Sequence, residues 1–198
     1  MKSSKILRIG ILPALILILM LMFQPARIVL SSLGAALLHE LGHITAAAML
    51  GIPLRSLDVG MFGASLKVRG SLISYSKEFL LCAAGPAMNF ISAIFVIALS
   101  ERRGYFTELG EWFASVSLML GILNLIPADG FDGGRMLSVV VTSLLGPRAA
   151  ARLLSFTTFL SILILWMFSV WLLIRFGTSL SLFIFTLSLF YRLFIEKA

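Results

Sequence analysis

His39, Glu40 and His43 stand together in "SSLGAALLHELGHITAAAMLG", Ser31 to Gly51, and the chain has no other histidine. On a helix, residues four apart lie one turn along the same face, so both imidazoles can point at one ion with Glu40 beside them. The H-E-x-x-H spacing is that of two zinc-ligating histidines and a glutamate that acts as general base on the attacking water. The bland alternative is a histidine pair satisfied by helix–helix hydrogen bonds, with Glu40 paired to an arginine. Ionisable groups within an apolar span are costly, face the interior and default to a functional role, which favours the metal.

A zinc site that does chemistry also needs a third protein ligand and an open position. Cys82 is the only cysteine and lies in an apolar run, so it reads as a small buried hydrophobe. Among carboxylates, Glu101, Glu108 and Glu111 fall in an outer loop and Glu196 in the tail. Glu78 stands at the inner edge of the third apolar segment and Asp58 in a basic loop. The remaining choice is "NLIPADGFDGGR", with Asn124, Asp129 and Asp132. Asp129 and Asp132 compete for the ligand role on spacing alone, and either can instead cap the short helix that begins near Gly133. Pro127, Gly130, Gly133 and Gly134 break the helix here. Non-helical backbone at membrane depth is tolerated only where protein buries it or a water-filled cavity meets it. Such an opening is what a hydrolase needs.

The elements that must hold these groups are membrane helices. Of the 198 residues, 60% are hydrophobic and 13% charged, with a mean hydropathy of +1.05. A soluble domain carries roughly 25% charged residues, so the solvent for most of this chain is lipid. The expected fold class is an all-α polytopic membrane protein with about six transmembrane helices and a small β-hairpin-like loop between helices 2 and 3. The spans are expected at Ile9–Phe23, Ile28–Leu50, Phe79–Leu99, Trp112–Pro127, Leu153–Ile174 and Leu180–Ile195. The first follows "MKSSKILR" and resembles a signal peptide, but lacks an obvious small-residue cleavage site and reads as a retained helix. Met136–Leu145 is too short to cross and is closed by Gly146-Pro147. Between spans two and three, Leu66 and Val68 alternate with Lys67 and Arg69, the period of a half-buried strand, with an irregular basic loop as the alternative.

Net charge is +7, from 16 basic and 9 acidic residues. With both termini inside, 12 Lys and Arg face inward and 4 outward by count along the chain, as the positive-inside rule favours. The second and fourth spans then both run inward, which places His39, His43 and the "NLIPADGFDGGR" turn at similar depth. Scattered basic residues without a patch or stripe exclude nucleic acid as a partner.

"HELGH" at His39–His43 and "NLIPADGFDGG" at Asn124–Gly134 together resemble the site-2 protease family of intramembrane zinc metalloproteases, peptidase family M50. "AAGPAMN", Ala83–Asn89, resembles a further motif of that family. The layout is similar to its compact branch, typified by the sporulation protease that processes a sigma-factor precursor. The resemblance implies His39, His43 and Asp132 as ligands of one Zn²⁺, with Glu40 as the catalytic base. It implies Asn124 as a residue that holds substrate or steadies the oxyanion, and Asn89 as a supporting polar residue. The family often has prolines where Asp129 and Gly130 stand. No soluble regulatory domain is expected after the last span.

The implied function is hydrolysis of peptide bonds in or beside a transmembrane segment of a membrane protein, near the cytoplasmic side. The chain reads as one membrane-embedded protease domain, with a catalytic core at about 28–135 and accessory spans at about 153–195. Expected partners are a membrane-spanning substrate and the lipid bilayer, with room for a membrane regulator. The expected setting is the cell membrane, multi-pass, with cytoplasmic termini, in a bacterial inner membrane. The rival classes are a metal-ion transporter, which needs polar residues across the outer half of the spans, and a catalytically inactive scaffold, which has no use for Glu40.

Overall fold

The computed structural model describes residues 7–9, 24–52, 54–60, 63–68, 73–176 and 186. These form strand β1 (Leu7–Ile9), helix α1 (Ala26–Met49), strands β2 (Leu54–Gly60) and β3 (Gly63–Val68), and helices α2 (Tyr75–Arg103), α3 (Glu108–Asn124), α4 (Asp132–Leu145) and α5 (Pro147–Phe176). Residues through Leu125 make one compact unit and those from Ile126 another.

In the first unit α1, α2 and α3 pack on one another. The packing is inside-out relative to a soluble bundle. Leu30, Leu33, Leu37 and Leu41 recur at helical spacing along α1 and are exposed, whereas Ser31, Ala35, His39, Gly42, His43 and Ala47 are buried. A helix that presents leucine outward and histidine inward is stable only where the surroundings are apolar. Small residues let the backbones approach. A Cβ placed on Gly42 would stand 2.5 Å from the Ala84 carbonyl oxygen of α2.

Caps set the helix ends. Ser74 accepts from the Lys77 amide at the start of α2, and Thr107 accepts from the Gly110 amide at the start of α3. Lys77 Nζ donates to the Leu50 carbonyl, 2.8 Å away, satisfying the C-terminus of α1. Arg27, at the start of α1, pairs with Glu108, at the start of α3, at 2.5 Å. That pair is exposed and adds little stability, but it sets the two helices side by side and parallel. His43 is sixteen residues on from Arg27, as Asn124 is from Glu108. Both therefore lie about 24 Å down the bundle at 1.5 Å per residue.

The expected fold class needs correction. Among the described residues three helices, not six, are long and apolar enough to cross a membrane: Ala26–Met49, Tyr75–Arg103 and Pro147–Arg175. The fourth apolar run was expected to reach Pro127, yet α3 ends at Asn124. Proline disfavours helical geometry in the residue before it, and the 17 residues that remain give about 26 Å, short of the roughly 30 Å hydrocarbon core. The first and sixth expected spans lie outside the described residues, apart from Ile9, which ends β1, and Thr186. The class is not purely helical with a lone hairpin either. Strands β2 and β3 pair antiparallel, with Leu57 opposite Leu66 and Val59 opposite Ala64, and β1 adds in parallel to β2 in a three-stranded sheet of order β1-β2-β3.

In the second unit α4 packs on α5. Helix α4 starts at Asp132, four residues before the apolar run that announced it, and Pro147 opens α5, where its missing N–H is not needed.

The tight crossing of α1 and α2 predicts an asymmetry. Gly42→Leu overpacks it and costs about 1–3 kcal/mol, whereas lipid-facing Leu37→Ala changes stability by about 0.5 kcal/mol or less. Thermal unfolding in detergent micelles measures both, and equal effects would contradict the packing.

Candidate metal centre

The two histidines occupy one buried face of α1 and project toward α2. Their Nε2 atoms lie 3.1 Å apart, and the rings stand at 84° to each other. Two nitrogens on a tetrahedral zinc at about 2.0–2.1 Å would be separated by about 3.3 Å. The pair thus fits two lone pairs converging on one ion. Asp132 is the first residue of α4, in the second unit. Two imidazoles and a carboxylate are a donor set that zinc accepts with its fourth position left for water or substrate.

The far side of each ring is also held. His43 Nδ1 is 2.8 Å from the Leu81 carbonyl of α2. An N–H donated there leaves the Nε2 lone pair facing the partner ring, the arrangement that fixes tautomer and orientation in metal-ligating histidines. His39 Nδ1 is 3.2 Å from the Asn89 carboxamide, which is fully buried on α2. Pro86 lies between these two contacts in sequence and interrupts the hydrogen-bond ladder of α2.

Room for the rings depends on Gly85. A Cβ there would fall on His43 Nε2 and stand 2.7 Å from His39 Cε1. Alanine is excluded by atoms that the site itself must use. Gly134 has a parallel role in the turn that leads into α4, since a Cβ would fall on the Ala128 carbonyl oxygen. That turn is tied down through the Asp129 amide, which donates to Thr158 Oγ1 of α5 at 2.9 Å.

Each residue singled out by sequence can now be placed. His39 and His43 converge within the first unit, while Asp129 and Asp132 stand in the turn and first helical residue that open the second. Neither aspartate caps α4: the capping position is Phe131, and no side chain bonds there. Glu40 is half-buried next to His39, with its Oε2 shielded from solvent. Asn124 ends α3 and donates from Nδ2 to the Leu120 carbonyl at 3.0 Å. Sequence reasoning did not single out Gly85 or the Leu81 carbonyl. The glycine inside "AAGPAMN" was visible, but only a facing helix reveals what a side chain there would strike. The transporter reading loses ground, because the outer-half serines of α1 are turned to backbone. Ser31 Oγ donates to the Leu109 carbonyl at 3.4 Å and Ser32 Oγ to the Ile28 carbonyl at 2.8 Å.

Comparison with known proteins adds independent findings. Peptidase family M50 matches residues 28–103 and 101–168. The putative zinc metalloprotease Rip3 of Mycobacterium tuberculosis is 32% identical over 110 residues, covering 52% of this chain and 28% of its own length. Stage IV sporulation protein FB of Bacillus subtilis is 27% identical over 119 residues, covering 59% of this chain and 41% of its own. The matched region thus spans less than half the length of these curated relatives. The solved site-2 protease from Methanocaldococcus jannaschii superposes with a TM-score of 0.63 at 22% identity, over 98% of this chain and 92% of that one, a likeness of fold.

The close approach at Gly85 predicts that Gly85→Ala lowers zinc content at least about tenfold while helicity is kept. Elemental analysis beside circular dichroism measures this, and full zinc occupancy in the variant would contradict the packing.

Proposed function

Since the chain belongs to peptidase family M50, we propose that it is an intramembrane zinc metalloprotease that hydrolyses peptide bonds in or beside a transmembrane segment of a membrane protein. The observation that carries this reading is the buried histidine pair with Nε2 atoms 3.1 Å apart and Glu40 next in the chain. A structural histidine pair has no use for a neighbouring carboxylate, whereas hydrolysis needs a base.

His39, His43 and Asp132 would hold the ion. Zinc, when bound, supplies Lewis-acid polarisation of a carbonyl and lowers the pKa of water. Glu40 takes the proton of the attacking water on its carboxylate and hands it to the leaving amine. Its half-buried position limits competing solvent. Asn124 Nδ2 carries two hydrogens, and one engages Leu120. The second donates to the oxyanion of the tetrahedral intermediate, at a depth level with His43.

A substrate helix hides its carbonyls in i→i−4 bonds and must open locally before attack. The sheet of β1, β2 and β3 receives the opened segment as an added strand. The substrate is therefore a membrane-spanning protein, met within the lipid. The segment that carries β2 and β3 is cytoplasmic, with Arg55, Lys67, Arg69 and Lys77 between α1 and the first turn of α2 on that side, and cleavage falls near the cytoplasmic face.

Three measurements test this. Glu40→Gln is expected to keep its zinc and lose cleavage of a membrane-tethered peptide by about 10²–10⁴-fold; undiminished cleavage would sink the mechanism. Chelation is expected to abolish cleavage of the intact chain and added zinc to restore it. Lys67→Cys should react with an impermeant thiol reagent only from the cytoplasmic side and Tyr105→Cys only from the opposite side. The reverse pattern would overturn the orientation.

A further inference from the structure

The Asn89 carboxamide has one buried atom left over. Its Nδ2 is the atom placed 3.2 Å from His39 Nδ1, while its Oδ1 is buried without a hydrogen-bond partner. Oxygen and nitrogen of a carboxamide are nearly the same shape, and their assignment follows from the hydrogen-bond network. If Nδ2 faced the ring, His39 Nδ1 would have to accept. A neutral imidazole would then carry its proton on Nε2, the atom that faces His43. Such a ring cannot offer Nε2 to a metal.

We propose that Asn89 stands the other way round, with Oδ1 accepting a hydrogen bond from His39 Nδ1–H. This makes Asn89 a positioning residue that sets the tautomer of His39. The arrangement leaves the Nε2 lone pair bare and gives Oδ1 its partner, with Nδ2 then holding the buried position that Oδ1 vacates. It also makes the two ligands equivalent, because the Leu81 carbonyl already does the same for His43 at 2.8 Å. One helix, α2, thereby supplies a backbone acceptor for one ring and a side-chain acceptor for the other, with Gly85 between them clearing the space. Asn89 is fully buried, so water does not substitute for it.

The inference rests on the reading of His39 and His43 as zinc ligands, and the experiment separates the two. Zinc affinity of the purified full chain is measured by competition with a chromophoric chelator for wild type, Asn89→Asp and Asn89→Leu. Aspartate keeps the acceptor and removes the donor; leucine removes both. Wild type binding one zinc supports the underlying site, and failure to bind sinks that reading itself. With one zinc bound, Asn89→Leu is expected to weaken affinity by about 10–100-fold, and Asn89→Asp to hold it at or above the wild-type value. Equal loss in both variants would mean that the amide donates, and no loss in either that it plays no part; each overturns the inference. Asn89→Asp decides alone if the leucine variant does not fold, because an acceptor role predicts retained affinity and a donor role predicts its loss.

Discussion

Two imidazoles on one helix must each present a bare nitrogen to the same point while buried in an apolar medium. An unpaired buried polar group is expensive, so the opposite nitrogen of each ring has to be met by an acceptor on a neighbouring element. Helix α2 meets both, through the Leu81 carbonyl and the Asn89 carboxamide. Everything nearby follows from the closeness this demands. Gly42 and Ala84 bring the two backbones together, and Gly85 yields the volume the rings occupy.

The same requirement explains the distribution of apolar surface. Polar groups that need partners turn inward, and the leucines of α1, like Ile91, Ile94 and Phe95 of α2, turn outward. In water this would expose a large apolar surface, a hazard for any monomer. In lipid it is favourable, since outward leucines lose nothing and inward histidines find partners on α2. Composition and site are thus two consequences of one solvent. The small polar groups of α1 obey the same rule: Ser31 and Ser32 turn their hydroxyls to carbonyls.

The site was legible in the sequence because its chemistry is local. H-E-x-x-H sets two imidazoles on one face with a carboxylate beside them through helical geometry alone. The aspartate was not legible to the same degree, since Asp129 and Asp132 are three apart in a turn whose path depends on contacts with Thr158 and on the clearance at Gly134. The span count went astray for a related reason. Hydropathy records where apolar residues run, but a helix ends where the backbone can no longer continue it, and α3 stops at Asn124 ahead of Pro127. The alternation around Leu66 indicated a strand; that Leu7–Ile9 joins in parallel is a long-range pairing no local period contains.

The sequence by itself determined that the chain lives in lipid, that His39 and His43 share a face, and that a glutamate stands beside them. Composition and 3.6-residue periodicity are properties of the covalent chain, so no folding is needed to read them. Only the tertiary structure decided which groups stand at their outer nitrogens and why position 85 must be glycine. Those answers depend on distances between segments dozens of residues apart, and such distances exist only once the helices have packed.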